Sequence, residues 1–372
     1  MSLQESKGKT YNYIIIGQGL AGSLLAWSLL QGGASVCIIS EQKDCASRVA
    51  AGLINPVTGQ RFVLAALTPQ MLAWGKNFYH DIEDKLHIQI YHEQAMLRLY
   101  NSEKERLNGE KRLRLDDYQP FLSATDVPTH IASEHSGIKQ HHTARLDTNR
   151  LLDALSEYFD QHPDGQLLQD QHFNPNDIEE TKEGVQWEGI RAEKIIFCEG
   201  YKLKDNPLFS WLPLQPAHGE IITCKASEPL DSDIINKSKW LLPTDSHHCK
   251  IGATYEPNIE EPTLQDSSKQ DLLNFANHLF KGKSLFECLE HQAGIRPATK
   301  DKQPFIGFHP QHPRLGVFNG FGSRGSLMIP WYANILTQAL MMDNPLPAEV
   351  SISRFNQNNE VPQFAWTHQT KI

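Results

Sequence analysis

The sequence predicts an α/β fold, with a doubly wound parallel sheet in one domain and a second α+β domain built on a mixed, largely antiparallel sheet. Three observations predict it. A buried strand, a glycine-rich turn, an apolar helix and a second buried strand follow one another between Tyr11 and Ser40. Another strand, glycine turn and helix fill 316–342, and alternating segments between 213 and 256 read as half-buried strands. At 372 residues the chain is long enough for about two domains.

Tyr11–Ile16 is a β-branched and aromatic run suited to a strand covered on both faces, and Leu20–Gln31 follows as an apolar helix. Gly32-Gly33 ends that helix, and Ala34–Ser40 is the next strand, closing on Glu41. Residues 13–30 have about the length of a membrane-spanning helix, but Gly17, Gly19 and Gly22 interrupt the run and favour two elements over one. A strand, Gly-x-Gly-x-x-Gly, a helix and a strand ending in an acid form the βαβ unit that binds dinucleotides. Gly17 allows the tight turn, Gly19 lets the backbone approach a pyrophosphate, and Gly22 lets helix and strand lie close. The helix start offers free N–H groups to the phosphates, and a carboxylate at Glu41 can accept the adenosine ribose hydroxyls. An acid there disfavours a 2′-phosphate, which argues against NADP.

Composition excludes other classes. Apolar residues make up 40% and charged residues 21%, so a disordered chain is ruled out. A formal charge of −9 argues against a dedicated nucleic-acid or anionic-membrane binder. The six cysteines, at 37, 45, 198, 224, 249 and 288, contain no CxxC pair and neither staple a small secreted fold nor form a zinc knuckle. The polar start MSLQESKGKT has no secretory pattern, so a cytoplasmic location is expected.

Residues 45–56, CASRVAAGLINP, resemble the segment that wraps the pyrophosphate and flavin edge in the D-amino-acid oxidase and glycine oxidase family of FAD enzymes. Ala50, Ala51 and Gly52 have almost no side chain, so a flat ring or a phosphate can lie against their backbone. The resemblance continues at Arg145-Leu146-Asp147 with the helix Thr148–Tyr158, and at the strand Ala192–Gly200, where the family's Ala/Ser-x-Gly is replaced by Cys198-Glu199-Gly200 with its unusual Glu199. Pro213–Cys224 and Trp240–Glu256 are similar to the family's substrate-domain strands. Ile221, Thr223 and Lys225 fall on one face, with Ile222 and Cys224 on the other. The stretches 225–239 and 256–270 read as polar turn regions.

Around Gly294-Ile295-Arg296-Pro297 the family likeness is close, and there the arginine pairs with the carboxylate of an amino-acid substrate. Pro297 holds Arg296 extended, so Ile295 and Arg296 point to opposite faces. The planar guanidinium fork matches two carboxylate oxygens. A structural ion pair is the competing role for Arg296.

Gly316–Asn319 is a short strand, Gly320–Gly325 a second glycine turn, and Ser326–Met342 a helix with Leu327, Trp331, Ile335 and Ala339 at a spacing of four and Pro330 near its start. In the family this helix start faces the flavin and stabilises its reduced form. The turn Gly322-Ser323-Arg324-Gly325 resembles less the glycine oxidases than the FAD-dependent half of the bifunctional enzymes that complete 5-methylaminomethyl-2-thiouridine in tRNA.

The resemblance implies noncovalent FAD held by Gly17, Gly19, Leu20, Ala21, Gly22, Glu41, Ser47, Arg48, Ala51, Gly52, Leu53, Phe173, Gly200, Gly322, Ser323, Arg324, Gly325 and Ser326. It implies Arg296 as the carboxylate ligand, Arg324 as its competitor and Trp240 as an apolar wall to the substrate. The implied reaction oxidises the C–N bond of an amino acid or N-substituted glycine. Hydride passes to flavin N5, water hydrolyses the imine, and oxygen or a carrier accepts the electrons. A tRNA wobble-uridine enzyme and a flavoprotein with a non-catalytic FAD are the alternatives. The expected FAD domain covers 10–80, 141–212 and 290–350, and the substrate domain 81–140 and 213–289. His141-His142, His247-His248 and the pair His309 and His312 lack a ligand set, so no metal is expected. Cys288 is read as a buried small residue, and the chain is expected to turn polar after the Ser-Arg-Phe at 353–355.

Overall fold

A computed structural model describes residues 3–41, 45–257, 259, 261–282 and 285–355. The polar tail expected after Phe355 lies outside the described residues. The chain divides into two compact units, one of Met1–Arg48, Asn149–Pro216 and Arg296–Ile372, the other of Val49–Thr148 and Ala217–Ile295.

In the first unit Thr10–Ile16 pairs in parallel with Val36–Ile39 on one side and Ile190–Phe197 on the other. Gly165–Leu168 extends the sheet beyond Val36–Ile39, and Leu315–Asn319 extends it beyond Ile190–Phe197, both in parallel. Taken in chain order, these five strands stand 3-2-1-4-5, the doubly wound arrangement in which the order reverses beside the first strand. Val185–Trp187, Ile178–Glu180 and Phe305–Phe308 add antiparallel strands. Ile14, Ile15, Val36 and Cys37 are fully buried, which explains why these strands read as continuous apolar runs.

The helix Leu20–Gln31 has the bounds read from sequence, and nearly all its residues are buried, Leu24, Leu25, Ala26 and Leu29 completely. A helix enclosed on all sides has no polar face to show, hence the superficial likeness to a membrane span. Among the described residues no helix is long and apolar enough to cross a membrane. Gly325–Met342 packs against it: a Cβ on Gly325 would lie 3.8 Å from Leu20 Cδ2.

The second unit holds a sheet ordered Glu256–Pro257, Leu214–Ala226, His248–Gly252, Lys239–Pro243, Ile234–Lys237, Met96–Leu99, Gly137–Gln140 and Leu122–Ala124, with Phe286–Thr299 also paired to Leu214–Ala226. Ile222, Cys224 and Ala226 face the core while Thr223 and Lys225 do not, as the alternation predicts. Three readings need correction. The stretch 225–239 contains the strand Ile234–Lys237, which pairs in parallel with Met96–Leu99 and so buries Ile234 and Ile235. A helix, Asp266–Leu279, begins inside the stretch read as turns and buries Leu272, Ala276 and Leu279. Cys288 is only partly buried.

The domain boundaries also shift. Residues 49–80, 141–148 and 290–295 were expected with the first unit and pack in the second. The reason is strand pairing: Ala144–Leu146 sits between Leu53–Ile54 and Tyr91–Glu93, which binds the 50s and the 140s into one small sheet. Residues 213–216, expected with the substrate domain, pack in the first unit.

Candidate active site

The parallel strands of the first unit all end at one edge, and the loops that leave them carry most of the residues singled out above. Gly17 follows Ile16 with φ +102°, and its N–H donates to Ile39 O at 2.8 Å. A Cβ on Gly17 would lie 2.6 Å from Cys198 O, and one on Gly22 only 1.9 Å from Gly17 O, so both positions require glycine for backbone packing. Gly19 differs. A Cβ there would meet only Ser47 Oγ at 3.4 Å and Cys45 Sγ at 3.9 Å, leaving the approach to the helix N-terminus open to a ligand. Ser47 Oγ accepts a hydrogen bond from Leu20 N at 2.9 Å, which ties the segment after the second strand to the first helical turn. Arg48 pairs with Asp153 at 2.8 Å and accepts from Asn149 Nδ2 at 3.1 Å through its carbonyl, anchoring the same segment to the helix Thr148–Gln161.

Glu41, at the end of the second strand, accepts from Lys202 Nζ at 2.9 Å and pairs with His172 Nδ1. Burial works against its charge, but hydrogen bonds from Lys202 and His172 outweigh it and hold the carboxyl below the usual carboxylate range. It is therefore an acceptor at neutral pH, and its two oxygens keep lone pairs beyond those two bonds.

Glu199 shows the opposite behaviour at the reversal of strand order. Burial pushes its carboxyl up to about 7 and the Glu41 charge adds to this, opposed by a hydrogen bond from Asn206 Nδ2 at 2.7 Å. An acid whose pKa rises on folding from an ordinary 4.5 to about 7 stabilises the fold fully below 4.5 and loses that contribution as pH rises to 7. Glu199→Gln should therefore raise the melting temperature relative to wild type at pH 8 and leave it nearly unchanged at pH 4.5. Thermal unfolding across that range checks this, and an equal shift at both values would contradict it.

The second glycine turn is joined to the first crevice by a residue that sequence reasoning missed. Asn319, only 1% exposed, donates from Nδ2 to Gly200 O at 3.0 Å and accepts from Gly320 N at 2.7 Å through Oδ1. It fixes the loop after Ile190–Phe197 to the loop after Leu315–Asn319. A strand closing on Asn-Gly was the available signal. Gly200, with φ +61°, has nothing within 4 Å of where a Cβ would stand, and so presents open backbone between the two turns. Gly320 and Gly322 have φ +82° and +55°, and Gly325 begins the 18-residue helix. Burial holds the Arg324 guanidinium below its ordinary range, so a carboxylate partner would gain more there than at an exposed arginine.

Arg296 lies in the strand Phe286–Thr299 beside the proline, partly buried, while Ile295 is 1% exposed, as the extended backbone predicts. Gly17, Gly19, Leu20, Ala21, Gly22, Glu41, Ser47, Arg48, Gly200, Arg296 and the turn 322–326 all belong to the first unit. Phe173 does too, but its ring is core, 5.1 Å from Trp187 and 5.8 Å from Phe197. Ala51, Gly52, Leu53 and Trp240 belong to the second unit. There Gly52, at φ +66°, meets the chain itself: its Cβ would lie 1.9 Å from Leu146 O. The side of Gly52 on which a Cβ would stand is therefore filled by Leu146. Trp240 packs on Ala51, Met96, Ile234 and Leu242 and lies over Gly252, whose Cβ would come 2.6 Å from its ring.

Residues 12–339 match the model of the DAO family, described as FAD dependent oxidoreductase, and the chain belongs to that family. Within it, the protein is an FAD-dependent oxidoreductase similar to glycine oxidases. It is 23% identical over 353 residues to the glycine oxidase of Pseudomonas aeruginosa, covering 90% of this chain and 95% of that protein. It is also 23% identical over 391 residues to the tRNA 5-methylaminomethyl-2-thiouridine biosynthesis bifunctional protein of Legionella pneumophila, covering 92% of this chain and 57% of that one. The chain thus spans little more than half of the bifunctional relative. In fold it is similar to the glycine oxidase of Geobacillus kaustophilus, with a TM-score of 0.79 and 21% identity over 93% of this chain and 99% of that one. L-proline dehydrogenase from P. horikoshii gives a TM-score of 0.75 at 14% identity, covering 94% of this chain and 98% of that one.

The residues present fit FAD. The open helix start at Gly19, the open backbone at Gly200 and the charged carboxylate of Glu41 supply what a pyrophosphate and a ribose require. Glu41→Ala should weaken FAD retention by about 1–3 kcal/mol, the range of a charge-assisted hydrogen bond, with the spectrum of the saturated protein unchanged. Dialysis against increasing volumes with flavin absorbance as readout measures it, and wild-type retention would reduce Glu41 to an ion-pair partner of Lys202 and His172.

Proposed function

We propose that the protein oxidises the C–N bond of an amino acid or an N-substituted glycine. The observation that carries this reading is the pair of glycine turns with their helix starts, joined through Asn319 and Gly200 on a chain of the glycine oxidase type. Bound FAD supplies the two-electron acceptor for hydride from the amine α-carbon. The chain does the rest. Arg296 binds the substrate carboxylate through its planar fork, with Arg324 as the competing ligand. The helix start at Gly325 offers free N–H groups where negative charge develops.

The test is an anaerobic screen of glycine, sarcosine, D-amino and L-amino acids for bleaching of the flavin absorbance. Bleaching by at least one carboxylate-bearing amine is expected. If none bleaches it while decarboxylated amines do, the carboxylate reading is wrong. A second reading, oxidation of a carboxymethylated wobble uridine in tRNA, is favoured by the turn Gly322-Ser323-Arg324-Gly325 and by the likeness to the bifunctional relative. Such a substituent is itself an N-substituted glycine, so the chemistry is shared. A gel shift with bulk tRNA at two salt concentrations separates the two readings.

A further inference from the structure

The second unit contains a cluster that the reaction does not use. His218 and Glu220 lie two residues apart on the strand Leu214–Ala226 and so share a face, and both are fully buried. Glu256 stands opposite His218 in the antiparallel register. One ligand atom from each of these three side chains lies within 4.8 Å of the others. On the neighbouring strand, His291 brings Nε2 to 2.6 Å from Glu220 Oε2.

The surroundings are organised as a second layer. Gln265 donates from its backbone N to Glu220 Oε2 at 3.0 Å and from Nε2 to Glu256 Oε2 at 3.1 Å, orienting both carboxylates. His218 Nε2 is 2.9 Å from Thr263 O. A carbonyl can only accept, so Nε2 donates and Nδ1 is the ring nitrogen through which a cation would be bound, the arrangement common behind metal-bound imidazoles. Independently of this cluster geometry, Glu220 Oε1 is buried with no hydrogen-bond partner. An orphaned carboxylate oxygen in a fully buried side chain is costly unless something positive meets it.

We propose that His218, Glu220 and Glu256, flanked by His291, bind one first-row divalent cation of the zinc type. Two carboxylates balance the charge of the ion, and mixed imidazole and carboxylate donors suit zinc better than the all-oxygen sets that calcium and magnesium prefer. The cation would join the strands Leu214–Ala226 and Glu256–Pro257 and would stabilise the unit in proportion to its occupancy.

The experiment uses FAD-loaded protein treated with EDTA, returned to chelator-free buffer and titrated with ZnCl2. Calorimetry, metal content by mass spectrometry and melting temperature are the readouts. One equivalent of zinc and a raised melting temperature are expected. Glu256→Gln, on a partly exposed strand end, should keep its fold and flavin but bind zinc at least about tenfold more weakly. Glu220→Gln should abolish the stoichiometric binding; should that variant not fold, Glu256→Gln alone decides. Absence of stoichiometric uptake by wild type, or uptake that Glu256→Gln leaves unchanged, overturns the site. Flavin bleaching by amines is measured separately, so failure here leaves the proposed oxidation standing.

Discussion

Gly19→Leu should yield a folded protein that has lost its flavin. The open approach at Gly19 is bordered only by side-chain atoms, Ser47 Oγ and Cys45 Sγ at 3.4 and 3.9 Å from a Cβ, so a leucine side chain enters the space that a pyrophosphate needs. Gly22→Ala gives the contrasting result. Its single methyl falls 1.9 Å from Gly17 O, which is backbone and cannot step aside, so the helix must leave the strand. We expect about 3 kcal/mol or more of destabilisation there, as for severe overpacking. The ratio of flavin to protein absorbance, far-ultraviolet dichroism and melting temperature distinguish the two outcomes. A Gly19→Leu protein that keeps full flavin would end the assignment of this turn.

Arg296→Lys should raise KM for carboxylate-bearing substrates about tenfold or more, the equivalent of ~1.4 kcal/mol, while decarboxylated amines change less. Lysine keeps the charge but loses the two parallel N–H bonds of the fork. Arg324→Lys is the necessary partner experiment because Arg324 is a partly buried cation at the second turn, held below its ordinary range by desolvation. Steady-state kinetics of both variants on one substrate decide between them. An unchanged KM in Arg296→Lys with a raised one in Arg324→Lys moves the carboxylate to Arg324 and strengthens the tRNA reading.

What could be read in advance follows a physical line. The unit from Tyr11 to Glu41 was legible because its signals are local: a run buried on both faces, glycines at fixed offsets and an acid at a strand end. Pro297 beside Arg296 is equally local. Contacts made across the chain were not legible. Lys202 and His172 reach Glu41 from distant segments, and Asn319 reaches Gly200 through sheet order alone. The cluster at His218, Glu220 and Glu256 depends on a strand register that no spacing reveals. Ile234–Lys237 was lost because a short strand in a polar stretch carries too few residues to show a period. Gly52 shows a different limit. A glycine announces a close approach without saying what approaches, and on the Cβ side of Gly52 it is Leu146.

The order of strands in the parallel sheet has a consequence for synthesis. Thr10–Ile16 leaves the ribosome long before one of its two neighbours, Ile190–Phe197, and the fifth parallel strand, Leu315–Asn319, follows later still. An apolar strand therefore waits with one edge unpaired until Ile190–Phe197 has been made, a state open to aggregation and to chaperone capture. Non-local pairing of this kind also slows folding. A nascent chain halted before Leu315 would lack both the strand that covers Ile195–Phe197 and the helix that covers Leu20–Gln31, so truncated products of this protein should be cleared by proteolysis and not accumulate as soluble fragments.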